Sequence, residues 1–123
     1  MEELFKKYVT TAGRLNRLRY LKYSLVLGVS AFLADFLTNM IAMFAFDGIG
    51  GLFELAMNAV IYIAWFIVYM TIIIRRLHDL DKRDLFAVCA LIPFVNFLFA
   101  LYLLFVPGTH GTNQYGRDPL EEF

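Results

Sequence analysis

The chain has 123 residues, 60% of them hydrophobic and 17% aromatic, with a formal net charge of +0 and a mean hydropathy of +0.63. Only 18% are charged, against about 25% in an average soluble domain, and this excludes a disordered or collagen-like chain. One cysteine excludes an internal disulfide scaffold, and the length suits a single domain over 1–123.

The chain opens on a basic segment, 1–22, that holds Lys6, Lys7, Arg14, Arg17, Arg19 and Lys22. Within it, residues 2–12 read as a short amphipathic helix, with Leu4, Phe5, Tyr8 and Val9 on one side. An apolar run comes next over 23–46, with Asp35 its only charge. A signal peptide cleaved after Ala34 would need a small residue where Phe32 stands, so the run is expected to remain as a span. A second run, 55–74, and a third, 85–106, carry no charge. About 20 apolar residues cross a hydrocarbon core of about 30 Å, and a backbone in lipid satisfies itself as helix. The expected fold is therefore an all-α membrane protein with three transmembrane helices, the third kinked or broken near Pro93.

Charge placement orients these spans. The link after the first run has no Lys or Arg, whereas that between the second and third has Arg75, Arg76, Lys82 and Arg83. Basic residues of short loops stay in the cytoplasm. This places the N-terminus and the 75–84 loop inside, with ten of the eleven basic residues there. A full third span puts the 107–123 tail outside; a re-entrant hairpin broken at Pro93 returns it inside. The 22 uncharged residues of 85–106 suffice to cross, so the full span is expected.

Polar residues within the spans recur at helical spacing. Ser24, Gly28, Ala31, Asp35, Thr38 or Asn39, and Ala42 make one stripe. Asn58, Tyr62, Trp65, Tyr69 and Arg76 make a second, and Cys89, Pro93, Asn96 and Ala100 a third. Such residues face protein rather than lipid. Asp35 stands out, because an ionised carboxylate at mid-membrane costs about 2.5–3.5 kcal/mol or more. Asp35, Asn39, Asn58 and Asn96 are the candidate intramembrane polar sites.

Three polar clusters lie outside the spans: Gly13-Arg14-Leu15-Asn16-Arg17-Leu18-Arg19-Tyr20, Arg75-Arg76-Leu77-His78-Asp79, and Gly108 through Pro119. Arg14, Arg17, Arg75 and Arg76 fall at the depth of lipid phosphates, for which a guanidinium fork is suited. With His78 and Asp79 they are the candidate binding residues, for an anionic headgroup or a partner. Topology enforcement by snorkelling side chains is the plainer alternative. Asp79 or Asp81 is expected to cap the third helix and pair with arginine. Gly108, Gly111, Asn113, Gly116, Asp118 and Pro119 read as a structured turn. No metal set, cofactor motif or catalytic triad is seen, and no cofactor or nucleic acid is expected.

In this order the clusters resemble the DUF805 family of bacterial inner-membrane proteins, over about residues 11–119. Thr11, Leu21, Leu85 and Phe86 stand where that family has aromatic residues, and Asn96 where it often has glycine. The resemblance implies a multi-pass protein of the inner membrane and assigns no activity. The expected function is a small integral membrane scaffold or interaction subunit, oligomeric or partner-bound. The alternatives are a channel or transporter subunit using Asp35, and an anionic-lipid-binding or lipid-modifying protein.

Overall fold

The computed structural model describes residues 1–3, 6, 11–45 and 51–119. The amphipathic helix expected over 2–12 lies largely outside the described residues. The described part is helical, with no named strand. Helix α1 spans Arg17–Ala45 and α2 spans Gly51–Asp79, each of 29 residues. A 3₁₀ helix, Asp84–Leu91, and helix α3, Pro93–Phe105, complete it.

Local chemistry explains where these elements begin and end. Asn16 starts α1: its carbonyl accepts from the Tyr20 amide, and its side-chain Oδ1 accepts from the Arg19 amide at 2.8 Å. That is N-capping of an otherwise orphaned donor. At the end of α2, the Asp81 amide donates to the His78 carbonyl and the Lys82 amide to that of Leu77. This paired closure needs a left-handed residue at Asp81, whose φ is +57°. Asp81 thus closes α2. The 3₁₀ helix has Arg83 at its N-cap with no side-chain cap bond, so neither Asp79 nor Asp81 caps that helix.

The expected full span over 85–106 does not form. Ile92 is extended, with φ −94° and ψ 117°, and Pro93 opens α3 rather than kinking a longer helix. Both features come from proline, which drives its predecessor out of the helical region and is itself at home in a first turn. The 13 residues of α3 rise about 20 Å, short of the roughly 30 Å core. Among the described residues two helices, not three, are long and apolar enough to cross.

Moreover, 84–106 folds as a hairpin. It leaves the end of α2 at Asp84, which bonds His78, and returns there at Val106, which bonds Arg76. Its innermost polar contact runs from Tyr69 Oη to Asn96 Oδ1, at 2.7 Å. Tyr69 stands about 10 Å along α2 from Arg76. Helices α1 and α2 are antiparallel: the Leu15 amide meets the Arg75 carbonyl at 3.0 Å, and Tyr62 meets Asp35 farther along.

Four elements meet at one end and only two at the other. The core reflects that imbalance: Leu15, Tyr20, Tyr23, Ile72, Ile73, Leu77, Leu80, Ala87, Ala90 and Leu103 cluster at the basic end. The most apolar stretches of α1 and α2 are only 11% and 17% buried within the chain. Phe32, Phe36, Phe44, Leu55 and Ile63 point outward, as lipid-facing side chains do.

Candidate functional site

The three polar clusters, far apart in sequence, converge at the basic end. Arg76 is fully buried. Its Nε donates to the Leu103 carbonyl at 2.6 Å, one terminal nitrogen to the Val106 carbonyl at 2.6 Å, and the other to the Leu15 carbonyl at 3.1 Å. That last nitrogen also bonds Asp79 Oδ2. A helix end leaves carbonyls without intrahelical partners, and a guanidinium fork reaches several at once. Arg76 thereby ties the end of α3 and the start of α1 to α2.

Arg14 repeats the arrangement from the other side. Its Nε donates to Asp79 Oδ1 at 3.0 Å, and its terminal nitrogens donate to the carbonyls of Thr109 at 2.5 Å, Gly111 at 2.6 Å and Gly116 at 3.3 Å. The Arg14 and Asp79 side chains are 1% and 5% exposed. Asp79 is therefore held between two arginines. It lies past the apolar run that ends at residue 74, and burial pushes its carboxyl above the ordinary value while Arg76 and Arg14 pull it down. Burial lowers Arg76, and Asp79 opposes that shift. Such opposing pulls are those of a buried ion pair, which holds only while every member is present.

The tail closes over this pair. Gly108 lies so close that an added Cβ would fall 2.6 Å from the Asp79 carboxyl carbon. The Thr109 amide donates to the Asp79 carbonyl at 2.7 Å, and Asn113 Nδ2 to that of His78 at 2.9 Å. Asp118 Oδ2 accepts from the Gly111 amide at 3.0 Å, and Asn113 and Gly116 bond each other's backbone. The Tyr115 ring stacks on His78, centroids 4.0 Å apart and planes within 5°. His78 Nδ1 contacts the Gly13 carbonyl at 3.0 Å, and Nε2 contacts Asp84 Oδ1. Both ring nitrogens are thus engaged, one by the N-terminal segment and one by the start of the 3₁₀ helix.

Of the four arginines singled out in the sequence, Arg14 and Arg76 thus direct their donors into the fold. Arg17 is exposed and donates to the Phe105 carbonyl at 3.3 Å. Arg75 is partly buried. Pro119 is fully buried beside Asp118. Among the described residues no group of three His, Cys, Asp or Glu is placed to hold a metal.

The intramembrane polar residues divide into two places. Asn96 belongs to the hairpin, as the acceptor from Tyr69. Asp35 lies in the other half, where Oδ1 accepts from Tyr62 Oη at 3.3 Å and Oδ2 from Asn39 Nδ2 at 3.2 Å. Asn58, one turn before Tyr62 on α2, has its Oδ1 buried without a partner among the described residues, as does Trp65 its Nε1. Two shallow recesses flank Tyr62, of about 450 Å³ beside Asn58 and about 300 Å³ beside Asp35 and Trp65.

Several participants were not singled out from sequence. Asp84 and Tyr115 lie six and thirty-seven positions after His78, and only the first spacing is local enough to suggest a pair. The carbonyls of Leu103 and Val106 carry no sequence signal at all, because every residue has one.

A family model described as "Protein of unknown function (DUF805)" matches residues 8–117, which include all three clusters except Asp118 and Pro119. The inner membrane protein YhaH of Escherichia coli (strain K12) is 30% identical over 117 residues, covering 95% of this chain and 93% of that protein. The inner membrane protein YhaI of the same strain is 28% identical over 117 residues, covering 94% and 91%. No solved structure matches.

Proposed function

This chain belongs to the DUF805 family, and we propose that it is an interaction subunit of the inner membrane, oligomeric or bound to a partner membrane protein. Its basic end, with the N-terminus and tail, faces the cytoplasm. The observation that carries this reading is how little α1 and α2 bury within the chain: 11% and 17% of their apolar windows. A pair so open needs lipid or other helices around it, while the basic end closes on itself as a rigid cap. The orientation rests on the positive-inside rule. The hairpin brings the tail back to the side of the 75–84 loop.

Arg14 and Arg76 are engaged with Asp79 and backbone carbonyls, which favours an assembly role over a phosphate clamp. The second reading, a channel or transporter subunit, draws on the open recess at Asp35.

Native mass spectrometry of the protein extracted in lipid, with crosslinking in intact cells, tests the proposal. Oligomers or a reproducible membrane partner are expected. A strictly monomeric, partner-free particle overturns it. Reporter fusions at the C-terminus test the orientation, with a cytoplasmic signal expected.

A further inference from the structure

Asp35 presents an electrostatic problem that the chain does not solve. It lies within the apolar run of 23–46, and its two hydrogen-bond partners, Tyr62 and Asn39, are both neutral. No Lys, Arg or His occurs between Lys22 and Arg75, nor between Asp84 and Val106. Lys22 is 13 residues from Asp35 along α1, and Arg75 is 13 residues from Tyr62 along α2. Both separations come to about 20 Å of helix. A carboxylate at this depth is costly without a positive partner. A second copy of the chain brings no cation to that depth either, since its own membrane runs hold none, and a symmetric contact at this face would set one Asp35 against another.

The surroundings of Asp35 describe what does fit. The recess of about 300 Å³ is lined by Gly28, Ala31, Phe32, Asp35, Tyr62 and Trp65. Gly28 and Ala31 leave room, and a Cβ on Gly28 would meet nothing within 4 Å. The recess opens sideways, with Phe32 and Tyr62 69% and 55% exposed. Tyr62 and Trp65 line it together with the carboxylate, and Trp65 is backed by Tyr69 in a stack with centroids 4.8 Å apart. One carboxylate beside aromatic rings in an apolar wall suits a cation of diffuse charge, because ring quadrupoles and the carboxylate attract it without requiring a hydration shell. A lysine ammonium from another helix is compact and strongly hydrated, and suits such a wall less well.

We propose that the recess between α1 and α2 at Asp35 binds a lipophilic organic cation, taken laterally from the membrane, with Asp35 as counter-ion and Tyr62 and Trp65 as aromatic walls. This goes beyond the assembly role and does not depend on it.

Trp65 is the only tryptophan, so its fluorescence reports on the recess directly. The full chain in lipid nanodiscs is titrated with tetraphenylphosphonium and, separately, with neutral triphenylphosphine oxide. A saturable change with the cation alone is expected, weakened about tenfold or more by Asp35→Asn, as loss of a charged contact implies. Asp35→Glu should retain binding. Gly28→Leu, which fills the recess and leaves the carboxylate in place, should also abolish it, and serves if Asp35→Asn does not fold. No saturable change, equal binding of the neutral analogue, or equal affinity in wild type and both disabling variants overturns the proposal.

Discussion

The basic end and the membrane half around Asp35 solve the same problem in opposite ways. Each carries an aspartate, Asp79 buried within the fold and Asp35 half-buried within an apolar run. At the basic end Asp79 meets two guanidiniums, and the arginines in turn bind carbonyls of the N-terminal segment, α3 and the tail. Around Asp35 the two hydrogen-bond donors are neutral, and among the described residues Asn58 Oδ1 and Trp65 Nε1 have no partner. Saturated polar networks rigidify a fold, and unsaturated ones mark places where something else binds. Arg14 and Arg76 are therefore tied into the fold, while the proposed cation recess lies in the apolar half.

Substitutions can break that contrast in order of effect. Arg76→Ala removes the fork that joins Leu15, Leu103, Val106 and Asp79 and leaves a buried carboxylate short of a partner. It should cost about 3–5 kcal/mol, seen as loss of the cooperative thermal transition in detergent. Arg76→Lys keeps the charge without the fork and should rescue only part of it. A freely tolerated Arg76→Ala would show that the basic end is not held by this network.

Gly108→Ala places a methyl group against the Asp79 carboxylate. Overpacking of that kind costs about 1–3 kcal/mol. Hydrogen exchange should accelerate first at the Thr109 and Gly111 amides, which the closed tail holds. Tyr69→Phe removes the single bond to Asn96 that anchors the hairpin at depth, and should cost about 1 kcal/mol in the same melting assay. Asp35→Asn sharpens the comparison from the other side: its melting should stay close to wild type while cation binding weakens about tenfold or more.

How far the sequence reached differs between elements. The runs over 23–46 and 55–74 were legible because hydropathy is a local sum, and they coincide with the two long helices. The stripe of Asn58, Tyr62, Trp65 and Tyr69 was legible as helical spacing. What each member meets was not, and the stripe divides, with Tyr62 at Asp35 and Tyr69 at Asn96. The run over 85–106 is the instructive failure. Its lack of charge suits a span and a hairpin equally, and counting apolar residues favours the span. Pro93 carried the right information, since proline kinks, breaks or begins a helix. Whether the chain then continued outward or turned back depended on where Arg76 and Arg17 would find carbonyls.

By itself the sequence determined that this protein lives in a membrane, that the runs over 23–46 and 55–74 are long and apolar enough to cross it, and that its basic residues gather at one end. Those properties come from composition summed over neighbouring residues, and folding does not alter them. Only the tertiary structure decided that the third run folds back, that Arg14 and Arg76 share Asp79, that the tail seals them, and that Asp35 remains without a positive partner. The contacts of Arg76 with the end of α3 and of Arg14 with the tail join groups from 27 to 102 positions apart, and a one-dimensional pattern does not encode such pairings.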